Sequence, residues 1–197
     1  ADPQDYTIDK WYETITKYEG EECLIFGAGP YASVRWIGNE NGEVADETWS
    51  KSILTEDNKI KNDPSQREDD FKGDPTDHFS NGYAEGNKWT VPEVDARITS
   101  GWFWGNGKST PKSMEQLANM YFSSVGRNAP LLLNIPPNNK GTVDDAILNR
   151  VKEFGNAVKE TFTNNIAAGK NVSCTASEVR GNDIAYSPNN VLDGNQD

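Results

Sequence analysis

Arg35, Trp36 and Glu40 fall within six positions of one another in the stretch from Gly29 to Gly42, and these residue types could do acid–base chemistry. A glutamate whose pKa is raised by an apolar neighbour such as Trp36 can act as a general acid. An arginine can hydrogen-bond ring hydroxyls while its charge keeps a nearby nucleophilic carboxylate ionised. The same residues also read as a solvated surface loop with an Arg35–Glu40 ion pair. Other chemistries lack their residues. A single histidine, His78, and the lack of a nucleophile elbow argue against a His-rich metal site and a Ser-His-Asp triad. Asp63, Asp69, Asp70, Asp74 and Asp77 do not match the twelve-residue calcium-loop spacing and read as a solvated acidic loop. Carboxylates are left to carry any reaction, with no metal and no cofactor expected.

The elements that would position these residues must come from 197 residues, 35% hydrophobic and 10% aromatic, which is enough for a packed core. A net charge of -12 leaves no basic surface to follow phosphates, so nucleic acid is not an expected partner. No apolar run approaches the roughly 18 residues of a membrane span. Six Trp, seven Tyr and seven Phe beside many Asn, Asp and Gly suit the stacking of sugar rings, although cores also use aromatics. Cys23 and Cys174 read as unpaired thiols, Cys23 in a buried strand. Ala1 to Tyr6 carries no Met and no signal peptide, and helix signals follow almost at once, so the chain is expected to be cut there.

Ile8, Trp11, Tyr12, Ile15 and Tyr18 recur at helical spacing behind Thr7, predicting an amphipathic helix over 7–19 that Gly20 ends. Cys23 to Phe26 is a short apolar run of the kind found in a parallel strand covered on both faces. Periodicity is then lost until about residue 93, which predicts a functional loop region. Val94 to Trp104 resembles a second buried strand running into Trp102-Phe103-Trp104, where Trp102 could wall an apolar sugar face and Trp104 could equally be core. A Ser113–Gln116 capping box opens a helix closed by Gly126; Pro130 to Ile135 is a strand, and 142–161 a long helix. The order predicts parallel strands with crossover helices, whose ligand-binding groups sit on loops leaving the carboxyl ends of strands. After Phe162 the character changes: 164–170 reads as a linker, Val172 to Ser177 alternates like an antiparallel strand, and Asn171-Val172-Ser173 fits the glycosylation triplet. The expected domains are 1–163 and 164–197, the second being the start of an all-β module.

Arg35-Trp36, Gly38-Asn39-Glu40, Trp89 to Asp95, Gly101-Trp102-Phe103-Trp104, Ser124-Val125-Gly126-Arg127-Asn128 and Leu131 to Pro137 occur in an order that resembles the second half of an α-L-fucosidase of glycoside hydrolase family 29. More narrowly they resemble the branch that removes fucose linked α-1,3 or α-1,4 in Lewis-type glycans. The likeness runs over about residues 4–162, with Gly-Asn-Glu and Ser-Val-Gly-Arg-Asn its more specific parts.

The resemblance implies the C-terminal part of a (β/α)8 barrel followed by a discoidin-like β-sandwich, and retaining hydrolysis of fucosylated glycans. It places the general acid/base on Glu40, a fucose-contacting arginine on Arg35 and an aromatic beside the sugar methyl on Trp102, with Trp36 in the same substrate-binding group. The family's nucleophilic aspartate, in a Trp-Phe-Asp-Gly-type strand end, is expected before residue 1, and Asp2 does not match it. These 197 residues alone are therefore not expected to turn over, and the N-terminal half of the barrel would come from elsewhere, a companion chain included. Without that half, exposed strand edges should lower solubility. Family habit implies a secreted, periplasmic or cell-surface protein. The alternative is a non-catalytic carbohydrate-binding protein derived from the same barrel.

Overall fold

The computed structural model describes residues 7–20, 22–27, 30–56, 81–168 and 171–194. Asp2, His78 and the acidic residues between 63 and 77 lie outside them. By chain order the elements are α1 (Ile8–Glu19), β1 (Val34–Trp36), β2 (Lys51–Ser52), β3 (Lys88–Trp89), β4 (Val91–Arg97), α2 (Met114–Ser124), β5 (Leu131–Asn134) and α3 (Asp145–Thr161). The chain divides into two compact units, residues 1–150 and 151–197.

In the first unit β1, β4 and β5 form one parallel sheet in that order, as the alternation of strands and helices predicts. A short antiparallel pair, β2 with β3, makes a separate ribbon. Along β4 the pleat sorts the side chains. Pro92, Val94 and Ala96 are buried and Val91, Glu93, Asp95 and Arg97 half-buried, because successive residues point to opposite faces. The buried face joins Ile37, Val44 and Ala129 in a core against which Leu131 packs. Leu117 of α2 and Ile147 of α3 are also buried. The expected capping box starts α2: Ser113 Oγ accepts from the Gln116 N–H (3.2 Å), and Gln116 Oε1 accepts from the Ser113 N–H (2.9 Å). The helix ends in a single 3-10 turn over Val125–Arg127, with Asn128 left-handed at φ 70.

The first parallel strand is not where the apolar run predicts it. Cys23 to Phe26 contributes only an isolated bridge, Phe26 to Val34, and Leu24 and Phe26 stand exposed. The strand is β1, inside the segment expected to be loop. An apolar run becomes a two-sided buried strand only where neighbours cover both its faces; here Cys23 and Ile25 are half-buried while Leu24 and Phe26, on the other face, are exposed.

The second unit begins within α3 and continues through 3-10 turns at Ile166–Ala168, Arg180–Asn182, Ile184–Tyr186 and Pro188–Leu192. Among its described residues there is no strand. The expected strand from Val172 to Ser177 is therefore corrected to irregular chain, and no β-sandwich is formed by these residues. Alternation of apolar and polar side chains makes a strand only where a partner edge takes up its N–H and C=O groups.

Candidate active site

Parallel pairing brings the carboxyl ends of β1, β4 and β5 side by side, with Trp36 opposite Glu93 and Arg97 opposite Asn134. Trp36 Nε1 donates to Asp95 Oδ1 at 2.7 Å, which puts the tryptophan on the Glu93–Asp95–Arg97 face of the sheet. The loop leaving β1 carries Glu40, exposed at its rim. Glu40 Oε2 accepts a hydrogen bond from Trp102 Nε1 at 2.8 Å, across 62 positions of sequence. Trp102 is itself held from two strands: Asn134 Nδ2, at the end of β5, donates to its carbonyl at 2.9 Å, and the Arg97 guanidinium, at the end of β4, stands 5.5 Å above its ring centroid. The Arg97 Nε is buried, and among the described residues no hydrogen-bond partner meets it.

The carboxylates crowd one another. Burial pushes the Asp95 carboxyl above its ordinary range; the Trp36 bond works against that, and the charge of Glu40 adds to it. Burial and then the neighbouring Asp95 push Glu93 up as well. A cluster of this kind can hold and pass a proton near an aromatic wall, as general acid–base chemistry requires.

Glu40 is positioned by its loop. Asn39, nearly buried, accepts from the Asn41 N–H (3.0 Å) and donates to the Glu43 carbonyl (3.3 Å). Gly42 has φ 80, and a Cβ there would lie 2.9 Å from Met120 Cγ, so the chain passes close over α2. Val44 is fully buried, and Arg127 Nη1 donates to its carbonyl at 2.7 Å while Nη2 pairs with Asp46 at 2.6 Å.

The model of the family described as Alpha-L-fucosidase matches residues 3–161. The chain belongs to the alpha-L-fucosidase family. It is 33% identical over 190 residues to Alpha-L-fucosidase 1 of Arabidopsis thaliana, covering 96% of this chain and 34% of that protein. It superposes with TM-score 0.80 and 49% identity on a Ruminococcus gnavus GH29 fucosidase solved in complex with fucose, covering 99% of this chain and 38% of that one. A glycoside hydrolase 29 family member from an unknown rumen bacterium gives TM-score 0.67 at 26% identity, over 88% of this chain and 28% of that one. The chain thus spans about a third of the length of the curated relatives it matches. GH29 fucosidases have a (β/α)8 barrel domain, and the first unit is a partial α/β piece of that kind.

Within this alpha-L-fucosidase family member, the structure brings Glu40 and Trp102 into contact and sets Trp36 on the neighbouring Asp95. Arg35 goes elsewhere, and its expected contact with sugar is corrected. It is 2% exposed, its Nη1 donates to the Thr90 carbonyl, and its Nη2 donates to the Trp49 carbonyl at 3.1 Å. Burial lowers its pKa to about 10. Adjacent strand residues face opposite ways, so Arg35 and Trp36 cannot share a site. Gly82, at φ 67, lies against this guanidinium: a Cβ there would come within 2.9 Å of Nη2 and collide with the Trp49 carbonyl.

Trp104 is half-buried rather than core. Its Nε1 donates to Asp144 Oδ2 at 2.8 Å, and Asn138 Nδ2 donates to Oδ1 at 2.9 Å. Those two bonds, Asn138 first, hold Asp144 below its usual range. Asp95 and Arg97 were missed as site residues; the signal was available in the charged residues 93, 95 and 97 alternating with Val94 and Ala96. Among the described residues no three His, Cys, Asp or Glu side chains converge to hold a metal ion.

Proposed function

We propose that the protein carrying this chain is a retaining α-L-fucosidase that releases α-1,3- or α-1,4-linked fucose from oligosaccharides or glycoconjugates, with Glu40 as general acid and then general base. One observation carries the reading: the carboxylate of the Gly-Asn-Glu stretch meets a strand-end tryptophan at 2.8 Å on the carboxyl ends of parallel strands, where barrel enzymes keep their reacting groups. Membership of the family supports it. So does the fucose bound in the related Ruminococcus gnavus structure.

Retention needs two carboxyl groups about 5 Å apart. In this reading an aspartate encoded ahead of residue 1 attacks C1 of the fucose, and its C1–O bond forms as the glycosidic bond breaks. Glu40 gives its proton to the departing aglycone oxygen. Glu40, now ionised, takes a proton from water, whose oxygen attacks C1 and frees the aspartate, returning both groups to their starting states. Trp102 supplies an apolar wall beside the sugar, and Trp36 lines the same face of the sheet, held by Asp95. Fucosylated glycans of this kind are met outside the cytoplasm, so the reading includes a secreted, periplasmic or cell-surface location.

The test uses the complete protein. Release of fucose from a Lewis trisaccharide, first appearing as the α-anomer, is expected, and Glu40→Gln should slow it by about 10²–10⁴-fold with the fold intact. A protein that binds the trisaccharide but releases nothing, with Trp-Phe-Asp-Gly missing upstream, would instead be a carbohydrate-binding relative and would overturn the assignment.

A further inference from the structure

Arg97 closes β4 on the face that carries Glu93 and Asp95. A buried N–H without an acceptor is unfavourable, so hydrogen bonding does not account for where the Arg97 Nε lies. The Trp102 ring does. The guanidinium carbon is 5.5 Å from the ring centroid, inside the reach of a cation–π contact, and that same indole donates its N–H to Glu40. A cation on the ring face draws electron density from the indole and strengthens its N–H as a donor, while the stack fixes the ring's rotation. A hydrogen bond to a carboxylate favours its ionised form.

We propose that Arg97 is a positioning residue for Glu40: stacked on Trp102, it keeps the indole N–H on the Glu40 carboxylate and so sets the pH at which that carboxylate takes up its proton. The role deepens the reading of Glu40 as acid/base and rests on it. Other charges face the same place. From β4, Asp95 lies close enough for the charge of Glu40 to push its carboxyl up, with Glu93 beyond it. From the segment before α2, Lys112 Nζ donates to the carbonyls of Arg97 (2.6 Å) and Thr99 (3.0 Å). On the far side of the aromatic cluster, Asp144 is occupied by Trp104 and Asn138. Among the described residues Arg97 is the cation that meets the Trp102 ring, so removing it leaves the indole that holds Glu40 without that contact.

The experiment follows the Trp102 indole N–H by NMR in the complete protein with ¹⁵N-labelled tryptophan, its signal assigned by its loss in Trp102→Phe. The signal should step with pH in the carboxylate range, and the step should vanish in Glu40→Gln. In Arg97→Met the step should move up by about 0.5–1 pH unit, and Arg97→Lys should return most of it. A merely structural arginine would not move the step and would not be rescued by lysine. If Arg97→Met fails to fold, as the dispersion of the other indole signals reports, Arg97→Lys against Arg97→Gln makes the same comparison. A step that ignores residue 97 overturns the proposal, even in a protein that releases fucose. An Arg97-dependent step in a protein that releases none overturns the assigned activity and leaves this contact standing.

Discussion

Strands β1 and β4 carry an arginine on each face, and the two arginines have opposite surroundings. Arg35, on the closed face, is buried and donates to two main-chain carbonyls. Arg97, on the open face, keeps a buried Nε that meets no acceptor among the described residues and lies over an indole that touches a carboxylate. Residue type alone suggests the same sugar-contacting role for both. What separates them is the pleat, which turns alternate side chains toward the core or toward the strand-end aromatics. The lesson is that an arginine's role here follows from its parity in the strand, and that the buried one is framework.

Three substitutions bear on that contrast. The largest effect is expected from Arg35→Met, which strands buried carbonyls and should cost about 3 kcal/mol in urea denaturation while leaving KM of the folded enzyme unchanged. A large rise in KM without loss of stability would put Arg35 back at the sugar and erase the contrast. Next, Val94→Ala on the closed face should cost about 2 kcal/mol for the lost methyl groups and the cavity, again without altering KM. The smallest effect belongs to Asp95→Asn on the open face. Burial raises the folded-state pKa of Asp95 above its ordinary 3.8, so the ionised form is disfavoured by folding. That handicap is fully present above the folded pKa and is gone below 3.8. Asp95→Asn should therefore raise Tm slightly at pH 7 and flatten the gain in stability seen on acidification. A variant less stable at both pH values would mean that the Trp36 bond outweighs desolvation.

Local chemistry was legible in the sequence where it is self-contained. The Ser113–Gln116 box needs only four consecutive residues, and it starts α2 as expected. Strand β5 is a run of leucines bounded by Pro130 and Pro136, and it too lies where expected. Glu40 and Trp102 could each be picked out by their loops. Their contact could not, because they lie 62 positions apart. The two misplaced strands fail for a shared reason. Cys23 to Phe26 has strand composition and Val172 to Ser177 strand alternation, but a strand also needs hydrogen-bonding neighbours, and neither pattern specifies them. Arg35 was misread because proximity in sequence to Trp36 looks like proximity in space, which in a strand it is not.

The Arg35 guanidinium has one further effect. By reaching from β1 to the carbonyl of Trp49, it cinches the neck of the excursion on which Glu40 stands, and Arg127 pins the same excursion at Val44 and Asp46. The span that bears Glu40 is thus fastened on both sides, by one arginine from its own strand and by another from the turn after α2.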